Sequence, residues 1–229
     1  MKKHKLFTPG PTSIPEEVLL EMARPIMHHR TEEFLNIAKE VFEGLKYLFQ
    51  TKNDVFIIAS SGTGAMEASI VNLFSKGEKI IVINGGKFGE RFVEIGKTYG
   101  LNVIEVKLEW GKSIKKEEIE KIIEENKDAK GLFVNLCETS TATNFDVKGY
   151  GEIVSKYDDM IFVVDAISCL GAVPCYMDEW KIDCLITGSQ KAFMLPPGLA
   201  FISLSEKAWN KTKNSDLPKY YFDLKKYKK

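Results

Sequence analysis

Short apolar runs alternate with amphipathic stretches along most of this chain, and that alternation constrains its fold more than any other feature. The runs at 55–59, 79–83, 102–106, 131–136, 160–165 and 183–187 read as strands. Between them, 64–75, 87–99, 115–126 and 147–157 carry helical spacing. Short continuous apolar strands separated by amphipathic helices imply a mostly parallel sheet covered on both faces. A further run at 199–204 follows Pro196-Pro197-Gly198 and can return antiparallel. The expected architecture is therefore α/β, three layers (α/β/α) around a mostly parallel seven-stranded sheet. Upstream, a helix is predicted from Pro15 to about Arg24. A second runs from Thr31 to Gln50, with Phe34, Ile37, Ala38, Val41, Leu45 and Leu48 at helical spacing and Thr31 as its cap. Ligands of such sheets bind beyond the carboxyl ends of the strands.

Charge narrows the partners. Lys+Arg and Asp+Glu both count 32, so zero net charge offers no attraction for nucleic acid or an anionic membrane. No apolar run approaches the roughly 18 residues of a membrane helix. The basic start, Met1 to Phe7, reaches Pro9-Gly10-Pro11 without an apolar stretch, so no signal peptide is read and a cytoplasmic location is expected. Cysteines 137, 169, 175 and 184 form no C-x-x-C pair and each lies in or beside an apolar stretch, as buried reduced thiols do. Three histidines offer no metal cluster, and no metal site is expected. The basic tail from Leu224 to Lys229 is expected to fray.

Several motifs stand at predicted strand ends. Lys191 lies in Gly188-Ser189-Gln190-Lys191-Ala192-Phe193-Met194-Leu195, before the rigid Pro-Pro-Gly turn. Apolar surroundings lower an amine's pKa and favour the free base that forms a Schiff base; a surface lysine is the alternative. Asp165 closes the run Ile161-Phe162-Val163-Val164. A carboxylate there needs a partner, either a protonated pyridine nitrogen or the turn it caps through Ser168. Ser60-Ser61-Gly62-Thr63-Gly64-Ala65 joins strand to helix, where small residues and free N–H groups suit a phosphate. It is neither a Walker loop nor a sound dinucleotide fingerprint, because Glu67 occupies the third glycine position; a ligand-free turn is its other reading. Phe88, in a Gly-rich turn, can stack on a planar ring or pack in the core. Glu138-Thr139-Ser140-Thr141-Ala142-Thr143 offers hydroxyls to a cofactor or to its own loop, and His28-His29-Arg30 reads as a solvated turn. Lysine and aspartate together suit pyridoxal phosphate: an amine for the aldehyde and a carboxylate for the ring nitrogen.

As an ordered set these motifs resemble the class V aminotransferases, in particular the serine–pyruvate/alanine–glyoxylate group. The resemblance rests on Phe7-Thr8-Pro9-Gly10-Pro11-Thr12, His29-Arg30-Thr31-Glu32-Glu33-Phe34, Ser61-Gly62-Thr63-Gly64-Ala65-Met66-Glu67-Ala68, Glu138-Thr139-Ser140-Thr141, Val164-Asp165-Ala166-Ile167-Ser168 and Gly188-Ser189-Gln190-Lys191-Ala192. It implies the fold type I large domain, pyridoxal 5'-phosphate as cofactor, small amino acids and 2-oxo acids as substrates, and a homodimer. Lys191 would hold the cofactor aldehyde and shuttle the proton. Asp165 would pair with the pyridine nitrogen, Ile167 pack on one ring face and Phe88 stack on the other. Thr63, Gly64, Ala65 and Gln190 match phosphate-contacting positions, and Thr139 matches a hydroxyl near the ring. The family often has tryptophan at Phe88 and sometimes histidine at Ala65, so stacking is kept while a side-chain phosphate contact at 65 is lost.

Length is the main departure. Family members continue into a smaller C-terminal domain carrying the arginine that binds the substrate carboxylate. Residues 1–30 are thus expected to form an arm and substrate or interface segment and 31–229 the cofactor domain, with the small domain absent. The alternatives are another fold type I chemistry such as a cysteine desulfurase, which Gln190-Lys191 in place of His-Lys counts against, a non-catalytic fragment and, more remotely, a nicotinamide oxidoreductase.

Overall fold

The computed structural model describes residues 5–228. The first four residues of the expected arm, and Lys229 at the end of the tail, lie outside them. In chain order the elements are α1 (Glu16–Met22), α2 (Glu32–Phe49), β1 (Val55–Ile58), α3 (Gly62–Leu73), β2 (Lys79–Asn84), α4 (Lys87–Thr98), β3 (Asn102–Lys107), α5 (Lys116–Glu125), β4 (Gly131–Asn135), β5 (Cys137–Glu138), β6 (Thr143–Asn144), α6 (Val147–Val154), β7 (Ile161–Asp165), β8 (Cys184–Gly188), β9 (Ala200–Leu204), α7 (Glu206–Thr212) and α8 (Leu224–Tyr227). The main sheet has seven strands in the order β1-β9-β8-β7-β4-β2-β3. Strand β9 pairs antiparallel with β1 and β8, and the other pairings are parallel. The expected sheet is the observed one, down to the reversed last strand.

Two apolar layers cover its faces because strand residues alternate sides. On β4 and β7, Leu132, Val134, Phe162 and Val164 join one layer with Leu45 and Phe49 of α2, Ile119 and Ile123 of α5 and Tyr150 of α6. Phe133, Ile161 and Val163 join the other with Met66, Ile70 and Leu73 of α3 and Phe92 of α4. Phe133 meets Phe74 and Phe92 with ring centroids 5.3 and 5.1 Å apart. Full burial of a side chain this size contributes roughly 2–3 kcal/mol. Thr31 caps α2 by accepting the Phe34 N–H at 3.3 Å, as its sequence position predicts.

Three features differ from expectation. The helix expected over 147–157 ends at Val154. The β5–β6 ribbon was not anticipated, since two-residue strands show no periodicity. The tail does not fray over the described residues: Leu224 is buried. The buried Asn72 amide on α3 donates to Phe222 O at 2.6 Å and accepts the Leu224 N–H at 3.1 Å. An amide satisfied on both sides, with an apolar side chain beside it, offsets the entropy of ordering the tail.

Candidate active site

The strand ends β1, β2, β4, β7 and β8 converge on one rim of the sheet. At its centre Asp165 closes β7, 4% exposed. Register places Asn135 at the end of β4 directly beside it, and Asn135 Nδ2 donates to Asp165 Oδ2 at 2.7 Å. The Ile167 N–H donates to Oδ1 at 2.7 Å. Burial pushes the carboxyl up to about 6, against the opposing pull of these two donors and of Arg91. Two donors leave lone pairs of this carboxylate free. Asp165 thus caps the turn after β7 through Ile167 and not through Ser168, whose Oγ donates to Cys137 O at 3.3 Å.

Lys191 follows β8 in a loop held at its base. Ser189 N–H donates to Leu199 O at 3.0 Å, Ser189 Oγ to Pro196 O at 2.6 Å and Leu199 N–H to Ser189 Oγ at 3.3 Å. Burial holds the Lys191 amine below the usual lysine range; Asp165 opposes that shift and Arg91 adds to it. Among the described residues Lys191 makes no ion pair. It is a half-buried amine near a buried carboxylate and not a surface lysine.

Beside them, α3 begins at Gly62 with no side chain capping its N-terminus, so the N–H groups of its first turn face a site that suits an anion, although the Gly64 N–H donates to Ser61 O at 2.9 Å. A Cβ at Gly62 would stand 2.6 Å from Ile167 Cδ1, and Ile167 Cγ2 lies 3.5 Å from the corresponding point on Gly188. A side chain at 62 would push Ile167 from its place across the turn. Gln190 Oε1 is buried without a hydrogen-bond partner. Thr63 is half-buried, and its Oγ1 accepts from Arg91 Nη1 at 3.0 Å. Ala65 is fully buried in the core, so only its backbone can serve a ligand.

Phe88 opens α4 half-buried and belongs to neither core layer. The Arg91 guanidinium carbon lies 4.9 Å from its ring centroid. Glu138 is buried and caps this helix: its Oε2 accepts the N–H groups of Phe88 and Gly89 at 3.1 and 2.9 Å. Its Oε1 accepts from Ser140 N–H and Oγ at 3.1 and 2.6 Å. Ser140, Thr141 and Thr143 are thereby or mutually engaged in the loop, whereas the half-buried Thr139 hydroxyl has no protein partner among the described residues.

Lys191, Asp165, Ile167, Gln190, Thr63, Gly64, Ala65 and Phe88 therefore share one rim, and Thr139 follows β5 on the same side. Asn135 and Arg91 were missed. Asn135 shows the same signal as Asp165, a polar residue closing an apolar strand; Arg91 is marked by its i,i+3 spacing from Phe88 on one helix. His28 and His29 stack on each other in an exposed turn before α2. All four cysteines are free; three are buried, Cys137 is half-buried, and burial pushes each thiol up. No group of three metal-ligating side chains occurs among the described residues, and no helix there is long and apolar enough to cross a membrane.

A family model described as Aminotransferase class-V matches residues 5–218. The chain is 42% identical to the soluble hydrogenase 42 kDa subunit of Anabaena cylindrica, over 99% of this chain and 60% of that protein. It is 33% identical to the L-aspartate–glyoxylate aminotransferase of Paracoccus denitrificans, over 97% and 57%. The solved structure of alanine–glyoxylate aminotransferase from Nostoc sp. superposes with a TM-score of 0.94 at 28% identity, covering 100% of this chain and 61% of that one. The chain spans about 60% of the length of the curated relatives it matches.

Proposed function

The chain belongs to the class-V aminotransferase family, and on that premise we propose that it is the pyridoxal phosphate-binding part of an aminotransferase. The reaction moves an amino group between a small amino acid (serine, alanine or aspartate type) and a 2-oxo acid (pyruvate or glyoxylate type). One observation carries this reading: the half-buried Lys191 amine, held below its usual range, beside the buried Asp165 carboxylate with acceptor capacity to spare.

The residues present fit the cofactor. The start of α3, which no side chain caps, suits an anion, and the buried Gln190 Oε1 is an acceptor left wanting a donor. When bound, pyridoxal phosphate supplies a carbonyl carbon for an amine and an electron sink for the substrate. Asp165 would hold a proton on the ring nitrogen. Lys191, as the free amine, would be the group that holds the cofactor's aldehyde carbon, and its Nζ would carry protons at the site. Ile167 would pack on one face of the ring and Phe88 on the other, with the Arg91 guanidinium already against Phe88. Thr63, the backbone of Gly64 and Ala65, and Gln190 would hold the phosphate, and Thr139 would offer its hydroxyl near the ring. In this reading residues 1–30 are the arm and 31–229 the cofactor domain, working in the cytoplasm. A desulfurase would need a thiolate, which burial of the four thiols disfavours.

The reading also includes a second copy. An apolar groove runs between α2 and the Lys191 loop, lined by Val41, Leu48, Phe193, Leu195 and Leu199. Val41 is 44% and Leu199 38% exposed, which favours cover by another surface. Sedimentation is expected to show a dimer; a monodisperse monomer would sink this part. For the cofactor, the purified chain is titrated with pyridoxal phosphate beside Lys191→Ala. A yellow band that needs Lys191 and is bleached by borohydride is expected, and a folded chain without it refutes the assignment.

A further inference from the structure

The arm crosses directly over the lysine. Thr12 N–H donates to Gln190 O at 3.0 Å, Thr12 Oγ1 to Lys191 O at 2.8 Å, and Thr8 Oγ1 to Pro11 O at 2.8 Å. Between these ties, a Cβ built on Gly10 would stand 2.2 Å from Lys191 Cδ, 2.6 Å from Cε and 2.7 Å from Nζ. The lysine stem therefore lies in the space that any side chain at position 10 would fill. Gly10 is not among the positive-φ glycines, so its backbone admits alanine. The obstacle to a side chain there is the lysine itself.

We infer that Gly10 is a positioning residue for the Lys191 amine, and that the strap Thr8–Thr12 seats that amine against a stretch of backbone kept bare for it. The inference rests on the assignment of Lys191 as the cofactor lysine. It extends that assignment to a residue 181 positions away in the chain. Thr12 fixes the strap to the backbone on either side of the lysine's Cα, and Gly10 then sets where the stem runs. The charges felt at the amine are Asp165 and Arg91. A methyl at position 10 moves the flexible stem, so the fold is kept while the amine leaves its place.

The test compares the full chain with Gly10→Ala and Thr12→Val. Two readouts are used: the pH midpoint of Lys191 acetylation by acetic anhydride in the cofactor-free chain, followed by mass spectrometry, and the visible band on titration with pyridoxal phosphate. Gly10→Ala is expected to keep the parent circular dichroism and to melt within about 2 °C of it. Its acetylation midpoint rises as the amine returns to water, and its apparent affinity for pyridoxal phosphate falls roughly tenfold or more. Thr12→Val, which removes only the hydroxyl bond, moves both in the same direction by a smaller factor. Parent values of midpoint and affinity in Gly10→Ala overturn the inference. So does loss of the native circular dichroism, since the contact then supports the fold and not the amine. A parent chain without the band whose midpoint still shifts in Gly10→Ala keeps the strap and sinks the cofactor assignment instead.

Discussion

Glu138 and Asp165 are both carboxylates on the same rim, 0% and 4% exposed, yet they are supplied with donors very differently. Glu138 receives four, two of them from the first turn of α4. Asp165 receives two and is pushed up to about 6 by burial. A buried carboxylate saturated with hydrogen bonds is a structural fixture, since further contacts have nothing left to satisfy. One left short of donors carries a desolvation cost that a cationic partner would relieve. The contrast separates the part of the rim that builds the site from the part that uses it.

The largest expected effect comes from removing the saturated carboxylate. Glu138→Ala strands the N–H groups of Phe88, Gly89 and Ser140 and is expected to cost about 4 kcal/mol in urea unfolding. A loss under 1 kcal/mol would erase the contrast with Asp165. Asp165→Asn should behave oppositely. Because burial pushes the folded carboxyl up to about 6 from its ordinary 3.8, the folded state binds the proton more tightly. That stabilisation is complete below about pH 4 and is lost as pH rises through about 6. The neutral asparagine escapes the loss, so its stability relative to the parent should rise by on the order of 2–3 kcal/mol between pH 4 and 7. A pH-independent difference would show that Asp165 is not strained by burial. In the same variant, affinity for pyridoxal phosphate should collapse. Arg91→Met is the smallest change: it removes the bond to Thr63 and the contact with the Phe88 ring, worth about 1 kcal/mol together. A severalfold weaker cofactor titration is expected, with little change in melting.

The sheet was legible because its signal is local. Runs such as Ile161 to Val164 declare buried strands without reference to anything distant, and Asp165 stands out against them. The lysine was equally visible among its apolar neighbours. What the chain hides are contacts between segments far apart in it. Arg91 meets Thr63 across 28 positions, and nothing near either residue announces the other. Glu138 stands in a hydroxyl-rich stretch that drew attention to its threonines, whereas the inward-turned carboxylate organises the loop. The tail's composition suggested fraying because its anchor, Asn72, lies on α3.

One consequence follows from the reversed strand β9. A residue between a strand and a crossover helix shares in any rocking of that helix. Lys191 instead sits on an out-and-back excursion whose two legs are laced together at Ser189 and Leu199. Its Cα is thereby a pivot anchored in the sheet on both sides. Movement of the amine is thus left to rotations of the methylene stem, while the backbone beneath it stays still.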